Sequence, residues 1–434
     1  MRTVTGNRAL VPSAVRPLAR RALLGEWVAE TLTEGWAPAL GIAQAAALAH
    51  RVHDLLPAGP HHAADPLATL DRLLRDLPAV PTAEVHATSP PAGPGVDDPR
   101  LPRPRRFGVL ELPTTAELAR LLDLIPDELA WFADTHHWLR HSAPPLRHYT
   151  AHLQPTAHGG ARLIEAPKPR LREIQRRLLR HVLAPVPTHD VAHGFVRGRS
   201  ALTAATVHAG HPVLVRADLR QFFASVTAPR VRAVFRTLGY PQEVVGCLTG
   251  LCTTRTPVDV LRTVAPGGRE RLRRDHLPQG APTSPALANL VARRLDVRLA
   301  GLARAHGCVV TRYADDLAFS GPAGLDVGKL LFAVGRLVAD EGFVLHPDKT
   351  SVAPAHTRQR LLGLVVNRSA GVARHERDEL RALLHNCAVT GPAVQNRDDH
   401  PDFRAHLQGR ISWAAAGHPA RLARFTTMLE AIPW

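Results

Sequence analysis

The tetrad Tyr313-Ala314-Asp315-Asp316 constrains this chain more than any other stretch. It lies between two short apolar runs, Cys308–Tyr313 and Leu317–Ser320, whose composition predicts strands joined by a tight turn. Two carboxylates side by side at such a tip raise each other's pKa unless a cation is present. Hard divalent ions such as Mg²⁺ select carboxylate oxygens and keep water and phosphate as their other ligands. Asp-Asp at a turn also has a plainer reading, because Asp suits turn geometry. The pair by itself leaves both readings open.

Asp218 shifts the balance. The run Val213–Ala217 alternates as a strand and ends on this residue. A bare carboxylate closing a hydrophobic strand costs free energy unless it meets a partner, although capping a following helix would also explain it. If the strand pairs beside the hairpin, Asp218, Asp315 and Asp316 converge. Such a trio can hold two metal ions roughly 3.5–4 Å apart, one activating a hydroxyl and one holding a triphosphate.

The composition is compatible with that chemistry. The 434 residues, 45% of them hydrophobic, suffice for two or three compact units. Lys+Arg 54 against Asp+Glu 38 leaves a net charge of +16, a field that attracts polyanions and makes nucleic acid the first partner to consider. An Arg- and Ala-rich, Lys-poor residue usage would also account for that charge. Cys247, Cys252, Cys308 and Cys387 form no CxxC, the 25 histidines are scattered and no HExxH occurs. Neither a disulfide framework nor a structural zinc is therefore indicated. The basic start, MRTVTGNRALVPSAVRPLARR, has no continuous apolar segment or cleavage site, and no apolar run reaches membrane-spanning length. A cytoplasmic protein with no membrane partner is expected.

Helical spacing over Ala22–Leu32, Ile42–Leu56 and Leu67–Leu77 predicts a helical N-terminal extension, residues 1–80. Residues 81–106 are too rich in Pro and Gly to hold a core and read as a linker. Helices are expected again over Thr115–Leu124 and Asp127–Leu139, with Trp131, Phe132 and Trp138 packing inward. From Arg147 onward, β-branched runs alternate with helical stretches in the α+β manner. Ser284–Leu302 has helical spacing, with Arg293, Arg294 and Arg298 on its other faces. After Pro354 a strand is expected over Leu361–Asn367, followed by helices as far as Trp434.

At this point the residues carry a resemblance. Asp218-Leu219-Arg220-Gln221-Phe222-Phe223 resembles motif A of reverse transcriptases, Leu277-Pro278-Gln279-Gly280-Ala281-Pro282-Thr283-Ser284-Pro285 resembles motif B, and Tyr313–Asp316 resembles motif C. They occur in the order and spacing of a polymerase palm. Gly159–Pro167 is similar to the fingers motif and Ala192–Ser200 to the motif after it; His346–Thr350 resembles motif D and Leu362-Gly363-Leu364 the primer grip. The resemblance covers about residues 147–434. It implies a right-hand polymerase: fingers and palm over 107–355, the palm built on a ferredoxin-like antiparallel sheet, and a helical thumb over 356–434.

The same resemblance implies an RNA-directed DNA polymerase, a nucleotidyltransferase that adds dNTPs to a hydroxyl primer with two Mg²⁺ ions, Mn²⁺ being the alternative. Asp218, Asp315 and Asp316 would hold the metals, with the backbone carbonyl of Leu219 as a further ligand. Phe223 would lie under the incoming sugar and exclude a 2′-hydroxyl. Gln279 and Gly280 would shape the nucleotide pocket, Gly permitting close backbone approach. Arg162 would hold the triphosphate, and Lys349 would protonate the leaving pyrophosphate.

Within the family, His148-Tyr149-Thr150, Gly194–Ser200, the Phe222-Phe223 pair and motif B are similar to bacterial retron enzymes. Such enzymes prime on a 2′-hydroxyl of their own structured non-coding RNA. They make branched, RNA-linked DNA for phage defence with an effector protein. Two elements tied to recognition of the cognate RNA depart from the pattern: NAxxH is here Ala204-Ala205-Thr206-Val207-His208, and VTG is Leu361-Leu362-Gly363. The Arg-rich Pro257–His276 has no assigned role, and the first 140 residues match nothing nameable. Two other functions stay open, a defence polymerase working without a template or on a protein primer, and a catalytically silent RNA-binding scaffold.

A basic face is expected to meet the RNA, with Arg170, Arg172, Arg176, Arg177, Arg404 and Arg410 as its members. The first four lie on Pro169–Leu183, whose Leu171, Ile174, Leu178 and Val182 recur at helical spacing and leave the arginines on the remaining faces. A solvated charged face is the plainer alternative.

Overall fold

The protein is described by a computed structural model. It describes residues 29, 32, 33, 36, 42–56, 66–76, 108–135, 138, 139, 142–155 and 161–434. The chain divides into two compact units, Met1–Asp97 and Asp98–Trp434. In the first, α1 (Ile42–Leu55) and α2 (Pro66–Asp76) bury Ala45, Leu48, Val52, Leu70 and Leu74 on their apolar faces. Most of Ala22–Leu32 and the whole of the 81–106 linker lie outside the described residues.

The second unit opens with α3 (Thr115–Leu122), started by a capping box between Thr114 and Glu117 and stopped by Asp123 in the left-handed region, φ 60°. α4 (Pro126–Ala133) is shorter than the periodicity of Asp127–Leu139 predicts, because Asp134 turns left-handed at φ 44° and ends it. Trp131, within α4, and Trp138, beyond its end, face solvent, 38% and 65% exposed, and of the three aromatic residues Phe132 packs against the core. The hairpin β1 (Tyr149–Pro155) and β2 (Ala161–Pro167) leads into α5 (Pro169–Leu178). A π-helical turn continues α5 over Leu179–Leu183. Leu171, Ile174, Leu178 and Val182 are all buried, so the expected apolar stripe forms across both segments.

A four-stranded antiparallel sheet organises the rest. After α6 (Ala201–Val207) comes β3 (Val213–Asp218), followed by α7 (Phe222–Ser225), α8 (Ala228–Thr237), α9 (Gln242–Cys252), α10 (Val258–Leu261) and α11 (Pro266–Leu272). The long α12 (Ser284–Ala305) returns the chain to β4 (Val309–Tyr313) and β5 (Asp316–Gly321); α13 (Val327–Asp340) then leads to β6 (Ser351–Pro354). The strand order β4-β5-β3-β6 is that of a split β-α-β unit. Pleating explains the layering: Val215 and Ala217 of β3 join Leu317 and Phe319 of β5 in one core with Leu287, Ala292, Leu295 and Leu299 of α12 and Leu330, Val334 and Val338 of α13. Leu214 and Ala318 point the other way, onto Ala205 of α6 and onto Leu361, Leu364 and Val366.

That second layer corrects the expectation of one strand over Leu361–Asn367. β7 (Arg360–Leu361) and β8 (Leu364–Val365) form a minimal hairpin, because Leu362 and Gly363 both take positive φ, 52° and 83°. The C-terminal helices α14 (Arg374–Thr390), α15 (Pro392–Gln395), α16 (Phe403–Ala414) and α17 (Pro419–Glu430) follow. Of these, α14, α16 and α17 share a core of Leu380, Leu384, Leu407, Ile411, Phe425 and Leu429. Among the described residues no helix is long and apolar enough to cross a membrane. The cysteines are free and buried.

Candidate active site

The ladder between β3 and β5 sets Asp218 directly opposite Asp316, and Leu219 N donates a 2.9 Å hydrogen bond to Asp315 O. The chain thus gathers the three acids expected from the sequence at one end of the sheet. Asp218 is buried, 7% exposed, whereas Asp315 and Asp316 are half-buried. Burial, then the neighbouring Asp315, push the Asp316 carboxyl up to about 6. Asp315 is raised as well, by burial and by Asp218, against the opposing pull of Lys349 and Arg162.

Lys349 supplies the nearest positive charge: its Nζ donates to Asp218 Oδ2 at 2.9 Å. Its 3-10 turn, Pro347–Lys349, is tied to the same strand end by His346 N donating to Asp218 O at 2.7 Å. Arg216 Nη2 stands 4.0 Å from Asp316 Oδ1. Among the described residues no three His, Cys, Asp or Glu side chains are drawn together tightly enough to cage an ion. The donor set nevertheless suits a hard divalent cation, being carboxylate oxygens, and burial and repulsion raise the Asp315 and Asp316 members of it.

The residues expected around a nucleotide lie on α7, on β2 and in the turn before α12. Phe223, on α7, is half-buried in an aromatic group, its ring centroid 5.7 Å from Phe222 and 6.1 Å from Phe195. Phe195 also lies 6.4 Å from Tyr313; it is 49% exposed and left-handed, φ 63°. Gln279 O accepts from Glu165 N at 2.9 Å, which docks motif B on β2. Gly280, at φ 131°, passes so near β2 that a Cβ there would lie 3.1 Å from Glu165 O. Arg162 is exposed on the same strand, and Leu219 is buried beside Asp218.

The expected RNA-facing arginines divide. Arg170 and Arg177 both pair with Glu173, and each also reaches Asp123. Among the described residues Arg172 and Arg176 find no carboxylate, Arg176 being exposed and Arg172 half-buried. Arg404, on α16, lies 5.5 Å over the Trp434 ring, and Arg410 is half-buried on the same helix.

Several residues round the site had no role assigned from sequence. The stretch over Pro257–His276 backs the aromatic helix: Gly267 O and Gly268 O accept from Arg220 and Gln221, and the Arg271 guanidinium donates to Ser225 Oγ. His276 Nε2 and Thr256 Oγ1 hold buried Glu165 at 2.9 and 2.7 Å. His208, the histidine of the NAxxH-like element, is fully buried and bonded to Thr311 Oγ1 and Ser320 Oγ at 2.8 and 2.7 Å. It fastens β4 to β5 from within the fold. The signal for such positions is a polar residue on an apolar stripe, as with Asp296 among the buried Ala292, Leu295 and Leu299 of α12.

Known proteins resemble this chain over much of its length. Residues 154–366 match the family model described as reverse transcriptase (RNA-dependent DNA polymerase). That span holds every site residue named above except Arg404 and Arg410. The retron Mx65 reverse transcriptase of Myxococcus xanthus is 40% identical over 294 residues, 67% of this chain and 66% of that protein. The retron Mx162 enzyme of the same organism is 40% identical over 349 residues, 75% of this chain and 68% of that one. The retron Ec86 reverse transcriptase of Escherichia coli is 33% identical over 226 residues, 52% and 65%. The chain spans about two thirds of the length of these curated relatives. With helices and antiparallel sheets carrying three acids in motif order, it belongs to the bacterial retron-type reverse transcriptases, a family of RNA-directed DNA polymerases.

Proposed function

We propose that this chain copies a structured non-coding RNA into DNA, extending a 3′ or branched 2′ hydroxyl with dNTPs by two-metal chemistry at Asp218, Asp315 and Asp316. The observation that carries the reading is the register setting Asp218 against Asp316, with Asp315 O bonded to Leu219 N. Two Mg²⁺ ions held by these carboxylates and the Leu219 carbonyl would make the primer hydroxyl a better nucleophile and offset the charge of the triphosphate. Around them, Arg162 anchors the triphosphate by charge-assisted hydrogen bonds. Gln279 and Gly280 shape the nucleotide pocket. The Phe223 ring lies beneath the sugar and leaves no room for a 2′-hydroxyl. Lys349, half exposed on a flexible stem, delivers the proton to the departing pyrophosphate.

In this reading β3–β6 with α12 and α13 form a ferredoxin-like palm, and fingers and palm together occupy residues 107–355. Residues 356–434 are the thumb. The RNA-linked DNA product serves phage defence in the cytoplasm. The test is primer extension on the chain's own co-purifying RNA: sequencing should return branched RNA–DNA copied from one transcript. Homopolymer or random DNA would instead mean untemplated synthesis, and no DNA would mean a silent scaffold.

A further inference from the structure

The turn bearing Asp315 and Asp316 rests on a buried charge pair that touches no reacting atom. Arg312, the last residue but one of β4, and Asp296, on α12, both have fully buried side chains. Arg312 Nε and Nη2 donate to the two oxygens of Asp296 at 2.6 and 2.7 Å, a bidentate fork. Its Nη1 donates to Ala314 O at 3.1 Å and to Asn289 Oδ1 at 3.0 Å. Asn289 Nδ2 in turn donates to Gly194 O at 2.9 Å. Gly194 closes the arrangement from the other side, since a Cβ there would lie 2.5 Å from Ala314 N.

Stability is a weak reason for such a cluster. A buried ion pair is commonly matched or bettered by apolar side chains of similar volume. What the pair does provide is direction. Ala314 sits at φ 57°, a strained conformation for a residue with a Cβ, and its carbonyl is the group Arg312 grips. The backbone of Arg312 is fixed as well, its N donating to Val191 O and its O accepting from His193 N, both at 2.8 Å.

We propose that Arg312 is a positioning residue that holds the left-handed Ala314 turn, and so sets where Asp315 and Asp316 stand relative to Asp218. Asp296 fixes the guanidinium, and Asn289 ties it to the Gly194 turn. The proposal rests on the assignment of the three acids as metal ligands. The arrangement couples the motif B helix to the motif C turn.

The test uses the full chain, an oligo(dT) primer on poly(rA), dTTP and a Mg²⁺ series. In Arg312→Met/Asp296→Leu an apolar pair replaces the fork, and thermal melts should stay near wild type. Its kcat should fall about a hundredfold, as expected for reacting groups displaced by about 1 Å. Half-saturating Mg²⁺ should rise about tenfold, as for loss of an outer partner of metal ligands, while KM for dTTP stays within about threefold. Arg312→Lys keeps the charge but not the fork and should restore little. Should the double variant not fold, Asn289→Ala removes only the two hydrogen bonds of that side chain. It should then lower kcat about tenfold and raise the Mg²⁺ requirement. Asp315→Asn is the control. If it remains active, the metal-ligand assignment fails and this proposal with it. If it is inactive while the double variant, or Asn289→Ala in its place, keeps wild-type kcat and Mg²⁺ dependence, the role of Arg312 alone is overturned.

Discussion

Asp218 and Asp316 face each other across adjacent antiparallel strands, and both belong to positions where the sheet gives way to a turn. Asparagine at Asp315 or Asp316 keeps the shape and removes the charge that would hold divalent ions. DNA synthesis should drop at least about a thousandfold, the scale of losing several kcal/mol of transition-state stabilisation. RNA affinity should stay within a few-fold in filter binding. Polymerisation in Mg²⁺ at wild-type rates by either variant would refute the two-metal assignment.

Phe223 should choose the sugar. Its ring stands between Phe222 and Phe195, so truncation opens space without emptying the main core. Phe223→Ala should lower the preference for dTTP over UTP, measured as kcat/KM, by at least about tenfold. Undiminished discrimination would reduce Phe223 to a packing residue.

Arg172 and Arg176 are the members of the α5 face left without a carboxylate, whereas Arg170 and Arg177 are engaged with Glu173 and Asp123. Replacing both with Gln should flatten the logarithmic salt dependence of RNA binding by about one to two units, since each lost phosphate contact releases roughly one counterion fewer. Replacing Arg170 and Arg177 should change the slope less. An unchanged slope in Arg172→Gln/Arg176→Gln would mean that this helix faces solvent.

His208 should shape the acid limb of stability. Burial drives its pKa from 6.5 down to about 3. Between those values the unfolded chain binds a proton that the folded chain refuses, so falling pH favours unfolding. The contribution is complete above 6.5 and shrinks as pH falls toward about 3, by an amount on the order of several kcal/mol. His208→Gln has no such proton to take up. Its melting temperature should therefore vary less than wild type between about pH 6.5 and 4.5, and parallel profiles would refute the assignment.

How much of this could be read beforehand depended on how local each signal is. Asp218, Asp315 and Asp316 announce themselves, because a carboxylate at the end of an apolar strand or on a hairpin tip is conspicuous over a handful of residues. The strands bounding them were legible to within about one residue. Helix ends were not: Asp134 stops α4 through a left-handed φ that hydrophobic spacing does not encode. Leu361–Asn367 misled for a related reason, since an apolar run can continue through a two-residue turn as readily as through a strand. The Arg312–Asp296 fork joins residues on different elements, and only the oddity of a charge on the buried stripe of α12 hints at it. His208 shows the opposite case, a residue conspicuous as part of a motif whose buried bonds to two strands the motif does not announce.

Lys349 lends the site a property that concerns idleness rather than turnover. With its ammonium 2.9 Å from Asp218, the most buried of the three acids carries a counter-ion built into the chain itself. Stripping divalent ions with EDTA should therefore silence synthesis while leaving the melting temperature almost unmoved, and adding Mg²⁺ back should revive the enzyme without refolding. In Lys349→Met the same treatment should loosen the fold. The chain thus provides its own counter-charge for Asp218 while the site waits for a template.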